Sequence, residues 1–179
     1  NAFPQYGVGL TSFENNDMIK KQLQKKTGGG QQDKNGGNSV LNSLQLKGPK
    51  APELIPGGAW FNSEPLTLEK LKGKVVLVDF WTYTCINCQR TMPYLRVWHG
   101  KYNDKGLVII GVHSPEFEFE KSEKNVTQAI KDFKLPYPIV QDNDFATWRA
   151  YDNHYWPAKY IIDKEGYIRY THFGEGAYD

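Results

Sequence analysis

The run Val75-Val76-Leu77-Val78-Asp79-Phe80-Trp81 leads straight into Thr82-Tyr83-Thr84-Cys85-Ile86-Asn87-Cys88-Gln89-Arg90-Thr91-Met92-Pro93. A continuous apolar, β-branched stretch implies a strand buried on both faces, as in the central or parallel part of a sheet. A polar turn follows, then a helix-like segment from Cys85 to about Lys101, with Pro93 expected to kink it. The turn carries the chain's only two cysteines, at CxxC spacing. The chain must therefore accommodate a buried strand that delivers a dithiol to the N-terminus of a helix.

The later runs fit an α/β plan. Leu107 to His113 is a second fully buried strand, and Ser122 to Phe133 is helical, with Val126, Ile130 and Phe133 on one face. Pro138-Ile139-Val140 reads as a short strand and Asn143 to Tyr151 as a short helix. Ala158 to Ile162 and Tyr167 to His172 are strands joined by the turn Asp163-Lys164-Glu165-Gly166, so they form an antiparallel hairpin. Alternating strands and helices closed by a hairpin predict an α/β domain with a mixed sheet. Upstream, Ala59-Trp60-Phe61 and Pro65-Leu66-Thr67-Leu68, turned at Asn62-Ser63, suggest a small hairpin or extended pair. Thr67 to Gly73 reads as one helical turn stopped by glycine.

Residues 1–50 are expected to be an appendage, and residues 51–179 the globular domain. Thr11-Ser12-Phe13-Glu14 could open a short capped helix through Met18, Ile19 and Leu23. Thr27 to Ser39 is Gly/Asn/Gln-rich, the composition of a flexible linker. No strand precedes it and no GK[ST] ends it, so a phosphate loop is not indicated. This polar stretch accounts for part of the low mean hydropathy of −0.63. The net charge of +2 is too small to argue for nucleic acid or an acidic membrane surface. No apolar run approaches the roughly 18 residues needed to span a bilayer. No charged segment followed by an apolar core opens the chain, so no signal peptide is expected, and a start at Asn1 suits a processed or excised fragment.

Two cysteines are too few for a disulfide framework, so they are a redox pair or half a metal site. A structural zinc site needs two further ligands at suitable spacing. There is no second CxxC, and His99, His113, His154 and His172 are scattered singly, which favours the redox pair and no metal. At a helix N-terminus, backbone N–H groups and the helix dipole favour a thiolate at Cys85. That thiolate can attack a substrate disulfide, and Cys88 can resolve the mixed disulfide. Cys88, deeper in the helix, should be more buried, have the higher pKa and need a proton acceptor. Asp79 ends a strand that otherwise wants to be apolar. A buried carboxylate there has a raised pKa and can exchange a proton with Cys88; the alternative is a surface strand-end carboxylate. No cofactor beyond the Cys85–Cys88 redox pair is called for.

The segment from Val78 to Pro93 resembles the active-site segment of the thioredoxin superfamily, in which the aspartate is the buried carboxylate and the proline kinks the active-site helix. More narrowly, Phe80 to Leu95 is similar to the extracytoplasmic thioredoxin-like domain of DipZ-type proteins, related to the TlpA/ResA group of membrane-tethered thioredoxins. Gly111-Val112-His113-Ser114-Pro115-Glu116-Phe117, Trp156-Pro157-Ala158-Lys159-Tyr160 and Tyr170 to Gly176 carry the same resemblance, which runs from about Ala51 to Asp179. It implies a thioredoxin-like fold and an extracytoplasmic thiol–disulfide oxidoreductase of the cell envelope. It further implies protein disulfides as substrates, a membrane electron donor of DsbD/CcdA type, a link to cytochrome c biogenesis, and a membrane tether outside this chain. Pro157 then takes the place of the family's cis-proline, leaving the Trp156 backbone free to pair with a substrate strand. Thr84, Ile86 and Asn87 would complete the substrate site. Ile86-Asn87 replaces the Gly-Pro of cytosolic thioredoxins and Thr84 their tryptophan, so thioredoxin's potential does not transfer. The family adds a final helix after the hairpin; that helix is missing here or the N-terminal segment substitutes for it.

Tyr83 should line the site. His113, at the neighbouring strand end, could tune Cys85 or touch substrate, though such a histidine is more often structural. Glu116 and Glu118 flank Phe117 and could present an acidic rim, or be solvated loop carboxylates. Tyr137, Tyr151, Tyr155 and Trp156 could include an apolar groove around Pro157. Two rival functions remain open. Peroxiredoxins use P-x-x-x-T-x-x-C; Thr82 and Cys85 fit, but Val78 stands at the proline position. A copper(I) or cytochrome c maturation chaperone would use the soft thiolates, with Met92 and His113 as the obvious extra ligands.

Overall fold

The computed structural model describes residues 48–178. The expected N-terminal helix and the Gly/Asn/Gln-rich linker lie outside the described residues.

Two seven-residue strands, β2 (Val75–Trp81) and β3 (Leu107–His113), pair in parallel at the centre of a six-stranded sheet. The remaining strands are β1 (Trp60–Phe61), β4 (Ile139–Gln141), β5 (Ala158–Ile162) and β6 (Ile168–Phe173), and the order is β1-β4-β3-β2-β5-β6. β4 joins β3 in parallel, β5 runs antiparallel to β2, and β6 closes the expected hairpin against β5. The sheet is mixed and the class α/β, as the apolar runs predicted. Among the described residues three α-helices accompany it: α1 (Ile86–Tyr102), α2 (Glu123–Asp132) and α3 (Ala146–Ala150). No helix among the described residues is long and apolar enough to cross a membrane.

Period-2 geometry divides β2 between two cores. Val76, Val78 and Phe80 face a cluster with Ile110, Val112, Tyr151 and Tyr160. Leu77 and Trp81 face the other, with Cys88, Met92 and Leu95 of α1 and Val126 and Ile130 of α2. By the same alternation Asp79 belongs to the face under α1. A strand that looked uniformly apolar thus carries its one charge toward the active-site helix.

Trp60–Phe61 does not pair with the 65–68 segment, contrary to the sequence reading. It adds antiparallel to β4, Trp60 opposite Val140 and Phe61 opposite Ile139. The Asn62 side chain fixes that position by donating to the Leu135 and Tyr137 carbonyls at 2.9 Å. Residues 68–73 form the expected turn, ending at Gly73 with φ +86°. Helix α1 continues through Pro93. Tyr137 and Tyr151 are buried in opposite cores, and only Tyr155 and Trp156 of the expected aromatic group approach the surface.

Gly111 lies opposite Asp79 in the β2–β3 register, and a Cβ there would come within 2.9 Å of Trp81 Nε1 and 3.1 Å of Ile139 Cγ1. Gly111→Ala should therefore destabilise by about 1–3 kcal/mol through overpacking. Urea denaturation checks this, and an unchanged midpoint would contradict it.

Candidate active site

Cys85 caps α1, and its sulfur accepts the Cys88 N–H at 3.2 Å. Both cysteines are free thiols, Cys85 half-buried and Cys88 buried. The Cys88 Sγ–H donates to Cys85 Sγ across 2.7 Å. That hydrogen bond, with the backbone N–H groups of Cys88 and Asn87, outweighs partial burial and lowers the Cys85 pKa to about 7. Burial pushes the Cys88 thiol far above its ordinary range, and its hydrogen bond to Cys85 adds to the rise. One sulfur is thus a half-buried thiolate near neutral pH, and the other holds its proton.

Beneath them, the register sets Asp79 on β2 opposite Lys159 on β5, with Nζ 3.2 Å from Oδ1. Both residues are nearly sealed from solvent, at 2% and 3% exposure, and Lys159 Nζ also lies over the Tyr178 ring, 5.3 Å from its centroid. Burial raises the Asp79 pKa, with Lys159 pulling against it. For Lys159 burial works downward, but Asp79, Tyr178 and Cys88 together outweigh it and the ammonium is held above its ordinary value. No hydrogen bond joins Asp79 to Cys88; the carboxylate acts on that thiol through its charge. Sequence reasoning missed Lys159. The signal was a lysine inside the otherwise apolar Ala158-Lys159-Tyr160-Ile161-Ile162, in a strand set against the one containing Asp79.

Glu116 and Glu118 are solvated loop carboxylates, the second of the two readings of that loop. Glu116 is exposed, and its charge works against the Cys85 thiolate. Glu118 is a solvated ion-pair partner of Lys121 at 2.7 Å. The structural carboxylate is Glu120, fully buried. It accepts from Thr84 Oγ1 and the Thr84 N–H, and from the Glu116 and Phe117 N–H groups. Burial works upward on its pKa, but these bonds, with a further one from Thr82, hold it below the ordinary carboxylate range. Glu120 caps the 3-10 turn Glu118–Lys121, a role that only the start point of that turn reveals.

His113 is fully buried, edge-on to Trp81 and stacked on Tyr83 at 5.6 Å, with Nε2 3.4 Å from Thr82 Oγ1. Sealed in this way, it does not reach substrate. Tyr83 itself donates to the Phe119 carbonyl at 3.2 Å. On the opposite side the Trp156 indole donates to the Ser114 carbonyl at 3.0 Å, and Asp142 holds Ser114 Oγ at 3.1 Å. The Trp156–Pro157 peptide bond is cis, and Pro157 is buried while Trp156 is half-buried. Ile86 is exposed beside the nucleophile and Asn87 half-buried. Among the described residues no group of three or more His, Cys, Asp or Glu side chains is placed to hold a metal ion.

The chain has relatives among known proteins. The family described as AhpC/TSA matches residues 49–171. The chain belongs to that family. Thiol-disulfide oxidoreductase YkuV of Bacillus subtilis is 35% identical to this AhpC/TSA member over 134 residues, covering 74% of this chain and 87% of YkuV. Protein DipZ of Mycobacterium bovis is 48% identical over 132 residues, covering 72% of this chain, but the chain spans 19% of the length of DipZ. Among solved structures, the solution structure of a thioredoxin-like protein in the oxidized form is 33% identical, with a TM-score of 0.67, covering 74% of this chain and 88% of that one. The fold is thioredoxin-like, and this AhpC/TSA member has TlpA/ResA-like relatives.

His113 gives a pH test. Burial lowers its pKa from 6.5 to about 4, against the pull of Glu120. The unfolded chain therefore takes up the proton first, so this contribution to stability is complete above pH 6.5 and is lost as pH falls through about 4. The loss is about 3 kcal/mol at most. His113→Gln should lack this share of the acid destabilisation, measured by urea denaturation at pH 7 and pH 4. Parallel loss in both proteins would contradict it.

Proposed function

We propose that the 51–179 domain is an extracytoplasmic thiol–disulfide oxidoreductase that reduces protein disulfides by two-step exchange. The observation that carries this reading is the asymmetry of the dithiol, a Cys85 sulfur with a pKa of about 7 beside a buried Cys88 that keeps its proton. The Cys85 thiolate attacks one sulfur of a substrate disulfide, and the other sulfur leaves as a thiolate. Asp79, its affinity for protons raised by burial, accepts the Cys88 proton. The Cys88 thiolate then attacks Cys85, the Cys85–Cys88 disulfide forms, and the second substrate thiol is released with both electrons. Lys159 keeps Asp79 able to ionise in its buried site.

Thr84, Ile86, Asn87, Trp156 and Pro157 are the substrate contacts in this reading, with Tyr83 and Glu116 tuning the nucleophile. The oxidised pair needs a reductant. The likeness to DipZ supports a membrane donor of DsbD/CcdA type, a cell-envelope location and a tether outside this chain, with cytochrome c biogenesis as the setting. The rival readings gain no observation. Val78, where the peroxiredoxin pattern has proline, is packed in the core. Met92 and His113, the extra ligands a copper chaperone would need, are both buried, Met92 with Leu95 on the inner face of α1.

Cys85→Ser should abolish reduction of a peptide disulfide, and Cys88→Ser should accumulate a mixed disulfide visible by mass spectrometry. Full activity of Cys85→Ser would overturn the mechanism. Asp79→Asn should slow release from the mixed disulfide about hundredfold, the scale of one general base. Lys159→Met should slow the same step and move its pH midpoint upward, because Asp79 then holds its proton more tightly. In the double variant the two losses should not add, since both act through one proton transfer. Additive losses would separate Lys159 from that step.

A further inference from the structure

Two aromatic side chains beside the dithiol have no role in the exchange described above. Phe117 and Phe119 are stacked, with ring centroids 5.5 Å apart and planes 4° from parallel, yet 49% and 55% exposed. Ile86, the residue after the nucleophile, is 56% exposed. Apolar side chains left in water are ordinary when scattered. Here the two phenylalanines are held in one place. The buried Glu120 ties the 116–120 turn to both the N–H and the hydroxyl of Thr84, the residue before Cys85. The Phe119 carbonyl takes hydrogen bonds from Tyr83 Oη at 3.2 Å and Asn125 Nδ2 at 3.1 Å. The Tyr83 ring, 6.3 Å from Phe119, bridges the pair to the active-site turn. A fixed aromatic platform loses little conformational entropy when a partner covers it.

The charge beside the platform narrows the partner. Glu118 is engaged by Lys121, but the exposed Glu116 carboxylate is in no ion pair among the described residues. It lies close enough to Cys85 for its charge to oppose the thiolate. A cation brought by the substrate would neutralise that charge where it hinders the nucleophile. We propose that the Phe117–Phe119 platform, with Glu116, is a docking surface for the substrate polypeptide and selects disulfides flanked by an apolar and a basic side chain. The proposal rests on the disulfide-reductase reading and specifies its substrate class. Docking adds no chemical step: the same Cys85 sulfur attacks, and the same two electrons pass to the substrate.

The test uses the full chain, reduced, and homodimeric peptide disulfides whose cysteine is flanked by Leu and Arg, by Leu and Glu, or by Ser and Ser. Hydroxyethyl disulfide, too small to span the platform, is the reference substrate. The wild type should prefer Leu/Arg over Ser/Ser by about tenfold in kcat/KM, the scale of one well-covered apolar side chain. Phe117→Ser/Phe119→Ser should bring the ratio of the Leu/Arg rate to the hydroxyethyl disulfide rate down by about that factor. Glu116→Gln should shrink the Leu/Arg over Leu/Glu preference by about threefold, as for a solvent-exposed ion pair. An unchanged ratio in the double variant overturns the docking surface. If that result came with a dimer that the double substitution dissolves, the platform would belong to a second copy of the chain. A wild type inactive on every disulfide, hydroxyethyl disulfide included, would instead sink the reductase reading on which the proposal rests.

Discussion

The Cys88 thiol donates to the Cys85 sulfur, and the direction of that hydrogen bond sets the division of labour in the site. The bond, with two backbone N–H groups of α1, makes the outer sulfur an anion near neutral pH. It also ties the inner sulfur's proton in place. The direction follows from position along the helix. Cys85 is the cap, where unpaired N–H groups point outward, and Cys88 is one turn in, under the first core residues. A symmetrical pair, with both sulfurs equally solvated, would have no distinct attacker and resolver.

Two charges are buried under that helix, which the fold alone would not require. Replacing a buried ion pair by well-packed apolar residues is often neutral or stabilising, whereas removing one partner costs about 3–5 kcal/mol. Asp79 and Lys159 are therefore weak evidence for stability and stronger evidence for chemistry. The sheet register brings them together, since β5 runs antiparallel to β2 and sets residue 159 opposite residue 79. On the other flank, Glu120 spends a buried carboxylate on Thr84 and two backbone N–H groups, which fixes the approach to the nucleophile. Both devices use strongly desolvated charge to hold the surroundings of one sulfur.

Much of the frame was legible in the amino-acid order. The uninterrupted apolar runs of β2 and β3 could only be central strands, and the Asp163-to-Gly166 turn could only close a hairpin. Cys85, Cys88 and Asp79 followed from thiol and carboxylate chemistry applied to one strand–turn–helix unit. The pairing of Trp60–Phe61 with β4 was not legible, because two residues carry no register and the Asn62 bonds that fix them reach residues more than seventy positions away. Lys159 was hidden for a related reason: an isolated lysine in a strand is ambiguous until the neighbouring strand is known. Glu116 and Glu118 drew attention while Glu120 did the holding, since three alternating acids look alike until the turn they cap is seen to begin at Phe117.

The asymmetry of the two sulfurs is the claim from which the rest descends, and ultraviolet absorbance of the thiolate in the reduced protein, followed across pH, reads it directly. A single thiolate should appear with a midpoint near pH 7, absent from Cys85→Ser, and no second one until the solution is strongly alkaline. Two thiolates titrating together near the ordinary cysteine range would contradict it.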